Sequence, residues 1–328
     1  MKRGTNLSVS VVIPIYNVES IVYEVLESVS KQDYPILEFI LIDNHSTDSS
    51  IRVAEKFKRD HKNLRLQIIK REKTYGISSS YNLGAKRAKG DYVVTLHSDS
   101  MLPTKGELRK LINPFLSDIS VVATYPILLH PKDVWLTYNF WQKCLFARSV
   151  ETEIPSMNGK FDCYKKKTFL QIGGYDEKRF YHSMGTEDAD MRLRLQKEGK
   201  IIPTKARVVH LHGADKNYSL SDWIARRKFL AISYGRFLRL HARDMKQEIL
   251  AFLVKPLIAL TTPILFLIHP MFLFLLLVFP FVYAPKLFME RSTFSDPRIT
   301  MLPFIIIFLI YYEAFWMLRS LLFMRIRV

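Results

Sequence analysis

The strongest constraint in this sequence is a regular alternation of two periodicities across its amino-terminal third. Val9–Ile15 is a continuous apolar run rich in β-branched residues, the pattern of a strand buried on both faces. Glu19–Lys31 follows with helical spacing. Leu37–Ile42 is a second buried run, and Ser46–Lys58 reads as a helix with Asp48 and Ser49 as capping residues near its start. Leu64–Ile69 and Asp91–Leu96 repeat the strand pattern around a helix at Ile77–Ala88, which Gly90 breaks. Strands alternating with helices predict a parallel α/β sheet with helices on both faces. Ligands sit at the carboxyl ends of such strands, which directs attention to Asn17, Asp43, Arg71 and Asp99.

Charge and cysteine content bound the function. The 328 residues carry 48 Lys+Arg against 31 Asp+Glu, a net charge of +17. Two cysteines, Cys144 and Cys163, make neither a disulfide framework nor a CxxC zinc motif. The stretch from Gln247 to Val328 holds 7 basic and 4 acidic residues, which leaves +14 on the first 246. A basic face suits nucleic acid, anionic lipid or a phosphorylated ligand. The cations are spread along the chain with no helix-turn-helix or finger pattern, so nucleic acid is not expected.

The carboxy-terminal part differs in kind. Residues 249–285 are almost wholly apolar, and as one helix they would run about 55 Å, too long for a single crossing. His269-Pro270 offers a turn, and Leu302–Phe323 is a second apolar run. The polar link Lys286–Ile299 carries three cations, which the positive-inside rule places in the cytosol. This predicts two or three membrane crossings. The segment Asp222–Lys246 alternates apolar residues with Arg226, Arg227, Lys228, Arg236, Arg239 and Arg243, as an interfacial helix beside anionic head groups would. The first apolar run is short and broken by Ser10 and Pro14, so it is no signal peptide, and the catalytic part is expected in the cytosol. The aromatic stretch Val134–Phe146 fits either core packing or a membrane-docking cover.

Three places carry chemistry. Leu96–Ser100 ends a buried strand in Asp99 with His97 beside it, a candidate hard-cation site. Glu187 and Asp188 open a helix that Thr186 can cap, an arrangement that serves helix capping as readily as catalysis. His210 and His212 share one face of a strand.

The ordered segments VVIPIYN, LIDNHSTDSS, SSYNLGAKRAKGDYVVTLHSDSMLP, IGGYDEKRF and TEDADMRLRLQKEG resemble family 2 glycosyltransferases over roughly Ser8 to Ala214. The resemblance implies the GT-A nucleotide-diphospho-sugar transferase fold, a mostly parallel, Rossmann-like α/β sheet. The apolar tail is similar to the family's membrane-associated branch, with an α-helical transmembrane segment. The expected domains are a catalytic domain at 1–221, a basic interfacial segment at 222–248 and a transmembrane domain at 249–328.

The resemblance also implies roles. Pro14, Tyr16, Asn17 and Glu19 match the turn that borders the nucleotide, and Asp43 the carboxylate that reads the nucleobase. Asn44 stands where a second acid is frequent. Asn82 and Gly84 match the helix lining the nucleotide cleft, and Ser98 lies in the metal motif. Tyr81 replaces a frequent arginine, leaving Arg71 or Lys73 to supply that charge. Asp99 matches the second acid of the Asp-x-Asp metal motif, with His97 in the first acid's place and His210 as the later metal-side histidine. The implied cofactor is a divalent cation, Mn2+ or Mg2+, with His97 tilting the preference to Mn2+. Asp188 matches the catalytic base, and Glu187 contacts the acceptor or orients it. Gly173, Gly174, Tyr175 and Thr186 resemble the acceptor side.

The expected function is an inverting, non-processive, metal-dependent glycosyltransferase. It would move a sugar from a nucleotide-diphospho-sugar to a lipid or lipid-linked glycan at the cytoplasmic face of a bilayer. The polymerases' Gln-x-x-Arg-Trp motif has no counterpart in WIARRKFL. Two other readings stay open: a polyprenyl-phosphate sugar synthase, and a non-catalytic nucleotide-sugar-binding membrane scaffold, which His97 in place of an acid would fit.

Overall fold

The computed structural model describes residues 7–180, 185–211, 216–243, 248–269 and 271–323. His212, Lys246 and Pro270 lie outside the described residues. In chain order the elements begin β1 (Val9–Ile15), α1 (Val22–Ser30), β2 (Glu38–Asp43), α2 (Ser50–Asp60), β3 (Leu66–Lys70), α3 (Ile77–Arg87) and β4 (Tyr92–Leu96). Next come β5 (Ser100–Met101), α4 (Glu107–Ser117), β6 (Val121–Leu129), α5 (Lys132–Leu136) and α6 (Phe140–Phe146). They are followed by β7 (Glu153–Pro155), β8 (Phe161–Lys165), α7 (Lys166–Gln171), α8 (Glu187–Gln196) and β9 (Lys200–His210). The rest is helical: α9 (Leu220–His241), α10 (Glu248–Ile268), α11 (Met271–Tyr283), α12 (Pro285–Met289), α13 (Arg291–Phe294) and α14 (Leu302–Phe323). Two compact units result: the sheet with α1–α4, α7 and α8, and a helical unit of α5, α6 and α9–α14.

The sheet runs β3-β2-β1-β4-β8-β6-β9-β5, with β7 paired to β6. Its first half is parallel, as the alternation predicts. Beyond β4 it becomes mixed: β8 is antiparallel to β4 and β6, β5 is antiparallel to β9, and β6 and β9 are parallel. Side chains alternate across a strand, so β1 feeds two cores. Val9, Val11, Ile13 and Ile15 pack into the core that holds α1, α2 and α4 residues, and Val12 into the one that holds α3, α7 and α8 residues. Ile15 pairs with Asp43 in register, and His210 with Ser100. Polar residues are thereby delivered to the strand ends.

In the helical unit, α9 forms where the basic amphipathic pattern predicts a helix. Part of its charge is turned inward. Arg227 pairs with Glu313 of α14 at 2.5 Å, and Lys228 stacks on Trp316 at 3.9 Å. Ser320 of α14 donates to the Ile232 carbonyl at 2.8 Å. The expectation of a multi-pass membrane protein with a cytosolic catalytic part is corrected here. Among the described residues one helix, Pro297–Phe323, is long and apolar enough to cross a membrane, and 39% of its most apolar window is buried inside the protein. Within the apolar run that read as a hairpin, the apolar helical stretches among the described residues are short. Pro256–Ile268 falls below 18 residues, and α11 has 13, about 20 Å against a hydrocarbon core of about 30 Å. The orientation drawn from the positive-inside rule falls with the crossings.

Gly84 shows how tightly α3 seats on the sheet. A Cβ there would stand 2.2 Å from Val12 Cγ1. Overpacking of this kind costs about 1–3 kcal/mol. Gly84→Ala is therefore expected to lower the thermal midpoint; an unchanged melting curve would show that the helix does not rely on this approach.

Candidate active site

The loops after β1 and β2 clasp one another. Asn17 takes a left-handed φ of 51° and accepts from Thr47 N at 2.9 Å, and its own N–H donates to Ser46 Oγ at 3.2 Å. Glu19 accepts from Ser49 N at 2.7 Å, and Asp48 from Glu19 N at 3.1 Å. Pro14 is buried beneath this rim, while Tyr16 stands half exposed above it. Asp43, almost fully buried, accepts from Ser46 N at 3.1 Å. Asn44 accepts from Tyr75 N at 2.9 Å, so the departure from a second acid holds the loop before α3. Arg71 donates to Ser79 and Ser80 at 3.0 and 3.3 Å and stacks on Tyr75 at 4.0 Å. Lys73 lies 5.2 Å from the same ring.

A second group gathers where β4 and β9 end. Asp99 Oδ2 lies 3.1 Å from His210 Nε2, and Asp99 Oδ1 lies 3.7 Å from His97 Nδ1. One ligand atom from each of the three residues falls within 4.8 Å of the others. Ser98 sits half-buried in the same turn, and Leu211 N donates to the Asp99 carbonyl at 2.7 Å. Burial pushes the His210 imidazole down to about 3 and lowers His97 as well. Burial alone would raise Asp99, but hydrogen bonds from His210 and His97 hold it well below the usual carboxylate range. At neutral pH the cluster is one carboxylate with neutral imidazoles, the form that ligates metal. This donor set of oxygen and nitrogen suits Mn2+ or Mg2+, so the residues fit the ion that the sequence resemblance implies.

The third group surrounds Asp188 in the first turn of α8, with Glu187 and Asp190 beside it at the positive helix end. Burial, then Glu187 and Asp162, raise the Asp188 carboxyl well above its ordinary value, against a hydrogen bond from Tyr175. Tyr175 also meets Tyr164 oxygen to oxygen at 2.9 Å, and Tyr164 donates to Asp162 Oδ2 at 3.1 Å. Asp162 accepts from Gly159 N at 2.6 Å. Gly159 has a φ of 72°, and a Cβ on it would stand 3.4 Å from Tyr175 Oη and 3.6 Å from Asp188 Oδ1. Glycine is favoured here by its left-handed backbone conformation, and a Cβ would also stand a tight 3.2 Å from the Tyr81 ring. The next residue, Lys160, accepts at its carbonyl from His97 N at 3.3 Å. The turn at 158–160 therefore touches the Asp99 cluster on one side and Asp188 on the other.

Some expected site residues face elsewhere. Asn82 is buried, and its amide is committed to the Tyr175 backbone, at 2.8 Å from both N and O, and to Glu177 at 2.7 Å. Gly84 packs on Val12. Asn82 ties α3 to the Gly174–Tyr175 turn, and Gly84 seats α3 on the sheet. Arg194 supports that turn by donating to the Gly174 carbonyl at 2.7 Å while paired with Asp190 at 2.6 Å. Thr186 shares a hydrogen bond with Ser233 within the helical unit. Tyr81 points inward, donating to the Gly159 carbonyl at 2.8 Å. Sequence reasoning missed Asp162, Gly159, Lys160 and His130, whose ring centroid lies 5.4 Å from that of His210. For Asp162 the signal was available: a carboxylate flanked by Phe161 and Cys163 in the strand FDCYK.

Comparison with known proteins bears on the family and the fold. The model for glycosyl transferase family 2 matches residues 10–174, just over half of the 328. Glycosyltransferase GlyG of Streptococcus pneumoniae is 34% identical over 94 residues, 29% of this chain and 31% of its own length. The poly(ribitol-phosphate) beta-N-acetylglucosaminyltransferase TarS of Staphylococcus aureus is 31% identical over 117 residues, 34% of this chain and 20% of its own. The chain thus spans less than a third of the length of these two relatives. The mannosyltransferase PcManGT of Pyrobaculum calidifontis, solved with GDP-Man and Mn2+, has a TM-score of 0.61. The match covers 97% of this chain and 88% of that one at 18% identity, a likeness of fold. The sheet and its helices are a GT-A-like fold, and the chain belongs to glycosyl transferase family 2.

Proposed function

We propose that this glycosyltransferase is inverting and non-processive, and moves one sugar from a nucleotide-diphospho-sugar to a hydroxyl of a lipid or lipid-linked glycan at a membrane face. The observation that carries the reading is the single turn at 158–160, with a metal-type cluster on one side and a carboxylate of raised pKa on the other. The clasped loops after β1 and β2 border the donor: Asp43 accepts from the nucleobase, while Pro14, Tyr16, Asn17 and Glu19 form the rim, and Arg71 faces the phosphates. Asp99, His97 and His210 are the residues that would hold a divalent ion, which when bound supplies charge to the leaving diphosphate.

Asp188 acts on the acceptor side. Its carboxylate takes the hydroxyl proton as the acceptor oxygen bonds to the anomeric carbon from behind. The bond from that carbon to the diphosphate oxygen breaks, and the nucleoside diphosphate leaves with the electron pair. Burial makes Asp188 a stronger base than an exposed carboxylate. The Asp162–Tyr164–Tyr175 chain orients it, and Glu187, Gly174 and Tyr175 belong to the acceptor side. A membrane face is supported by the apolar exposure of the helical unit, where Leu267 is 84% and Ile268 70% exposed, and by the exposed Arg239 on α9. TarS, whose name gives a poly(ribitol-phosphate) acceptor, supports a hydroxyl rather than a free phosphate as nucleophile.

Two outcomes follow. With a panel of nucleotide-sugars and membrane lipid extract, Asp188→Asn is expected to lower kcat by about 10²–10⁴-fold. The acid limb of the wild-type pH profile should lie above the ordinary carboxylate range, since Asp188 must be deprotonated to act. Unchanged transfer would remove Asp188 from the chemistry. Burial raises Asp162 from 3.8 to about 7. The folded state then holds a proton that the unfolded chain releases, so stability falls as pH rises through that interval. Asp162→Asn should flatten the fall in thermal midpoint over the same interval; parallel curves would show that Asp162 is not the group responsible.

A further inference from the structure

We propose that Lys160 is a diphosphate-binding cation of the donor site, carrying part of the charge of the leaving group beside the Asp99 cluster. The proposal rests on the reading of that cluster as facing the donor phosphates. Three observations lead to it. The first is position. Leu96 pairs with Phe161 across the antiparallel β4–β8 ladder, and one step on, the Lys160 carbonyl accepts from His97 N at 3.3 Å. The backbone of this lysine is thus tied to the first residue of the cluster.

The second is availability. Lys160 is half-buried, and among the described residues its ammonium group has no hydrogen bond and no ion pair. Its neighbours are otherwise engaged, since Asp162 accepts from Gly159 and Tyr164. An ammonium with three donors and no acceptor, carried on a half-buried residue, suits an anion. Its charge reaches both sides of the turn: it acts on His97, His130 and His210 and on Asp162 and Asp188.

The third is charge balance. With His97 where an acid is expected, the cluster supplies one negative charge, from Asp99, between neutral imidazoles. A lysine beside it makes the cluster and its rim neutral before any ion or nucleotide arrives. Such a site holds a divalent ion less firmly than two carboxylates would, and meets a diphosphate with more positive charge. The lost acid and the added lysine act in the same direction, moving charge neutralisation from the ion toward the chain.

The test is calorimetric binding of UDP and GDP to the full chain, with chelator and with Mn2+, and of Mn2+ alone. In chelator, Lys160→Gln should bind the diphosphate about tenfold more weakly or worse, the effect of losing a hydrogen bond to a charged group. Lys160→Arg should retain most of the affinity. Mn2+ alone should bind Lys160→Gln more tightly than wild type, because a like charge has been removed. A damaged fold would weaken both ligands together, so the opposite movement is diagnostic. Equal diphosphate affinity in Lys160→Gln and wild type would overturn the proposal while leaving the donor site standing. Wild type that bound neither nucleotide under either condition would overturn the donor-site reading itself.

Discussion

The site depends on one contact, the 3.1 Å approach of Asp99 Oδ2 to His210 Nε2. Asp99 lies just past the end of β4, in the parallel half of the sheet, and His210 ends β9, which joins the sheet through β6. The two-residue strand β5 holds them together by pairing Ser100 with His210. Two halves of the sheet with different pairing rules therefore meet at a carboxylate. Keeping that carboxylate ionised under burial requires hydrogen-bond donors, and the two imidazoles provide them. Their own burial keeps those rings neutral, so one arrangement sets both the charge and the ligand state of the cluster.

The same economy of polar groups runs through the Asp188 side. Burial disfavours the ionised form of both Asp162 and Asp188, and the charges of Glu187 and Asp162 add to that effect at Asp188. The chain answers with hydroxyls rather than a direct ion pair: Tyr164 and Tyr175 bridge Asp162 toward Asp188. A carboxylate held in this way is a better proton acceptor than one neutralised by arginine. The nearby arginine, Arg194, is directed instead to Asp190 and to the Gly174 turn.

Much of this was legible in the residues. The strand–helix alternation predicted β1 to β4 to within a residue or two, because buried parallel strands read as unbroken apolar runs. The second half was not legible at that level. Strands of two and three residues, such as β5 and β7, are too short to show a period, and their pairing comes from the turns between them. Asp99, His97 and His210 were legible through motif order, and the structure brings them together. Asp162 and Lys160 belong to no motif; they matter because β8 lies next to β4, which only topology reveals. The carboxy-terminal helices misled for a physical reason. Composition shows how apolar a run is but not how long its helices are: among the described residues Pro256–Ile268 and the 13-residue α11 are shorter than a span, and only Pro297–Phe323 is long and apolar enough to cross a membrane.

The most direct test of the central claim, that the Asp99 cluster faces the donor diphosphate, is an anomalous difference map from crystals grown with Mn2+ and a nucleoside diphosphate. The account predicts a manganese peak bounded by Asp99, His97 and His210, with the diphosphate between it and Lys160. A manganese peak away from Asp99, or a diphosphate bound outside the carboxyl ends of β1, β2 and β4, would contradict it.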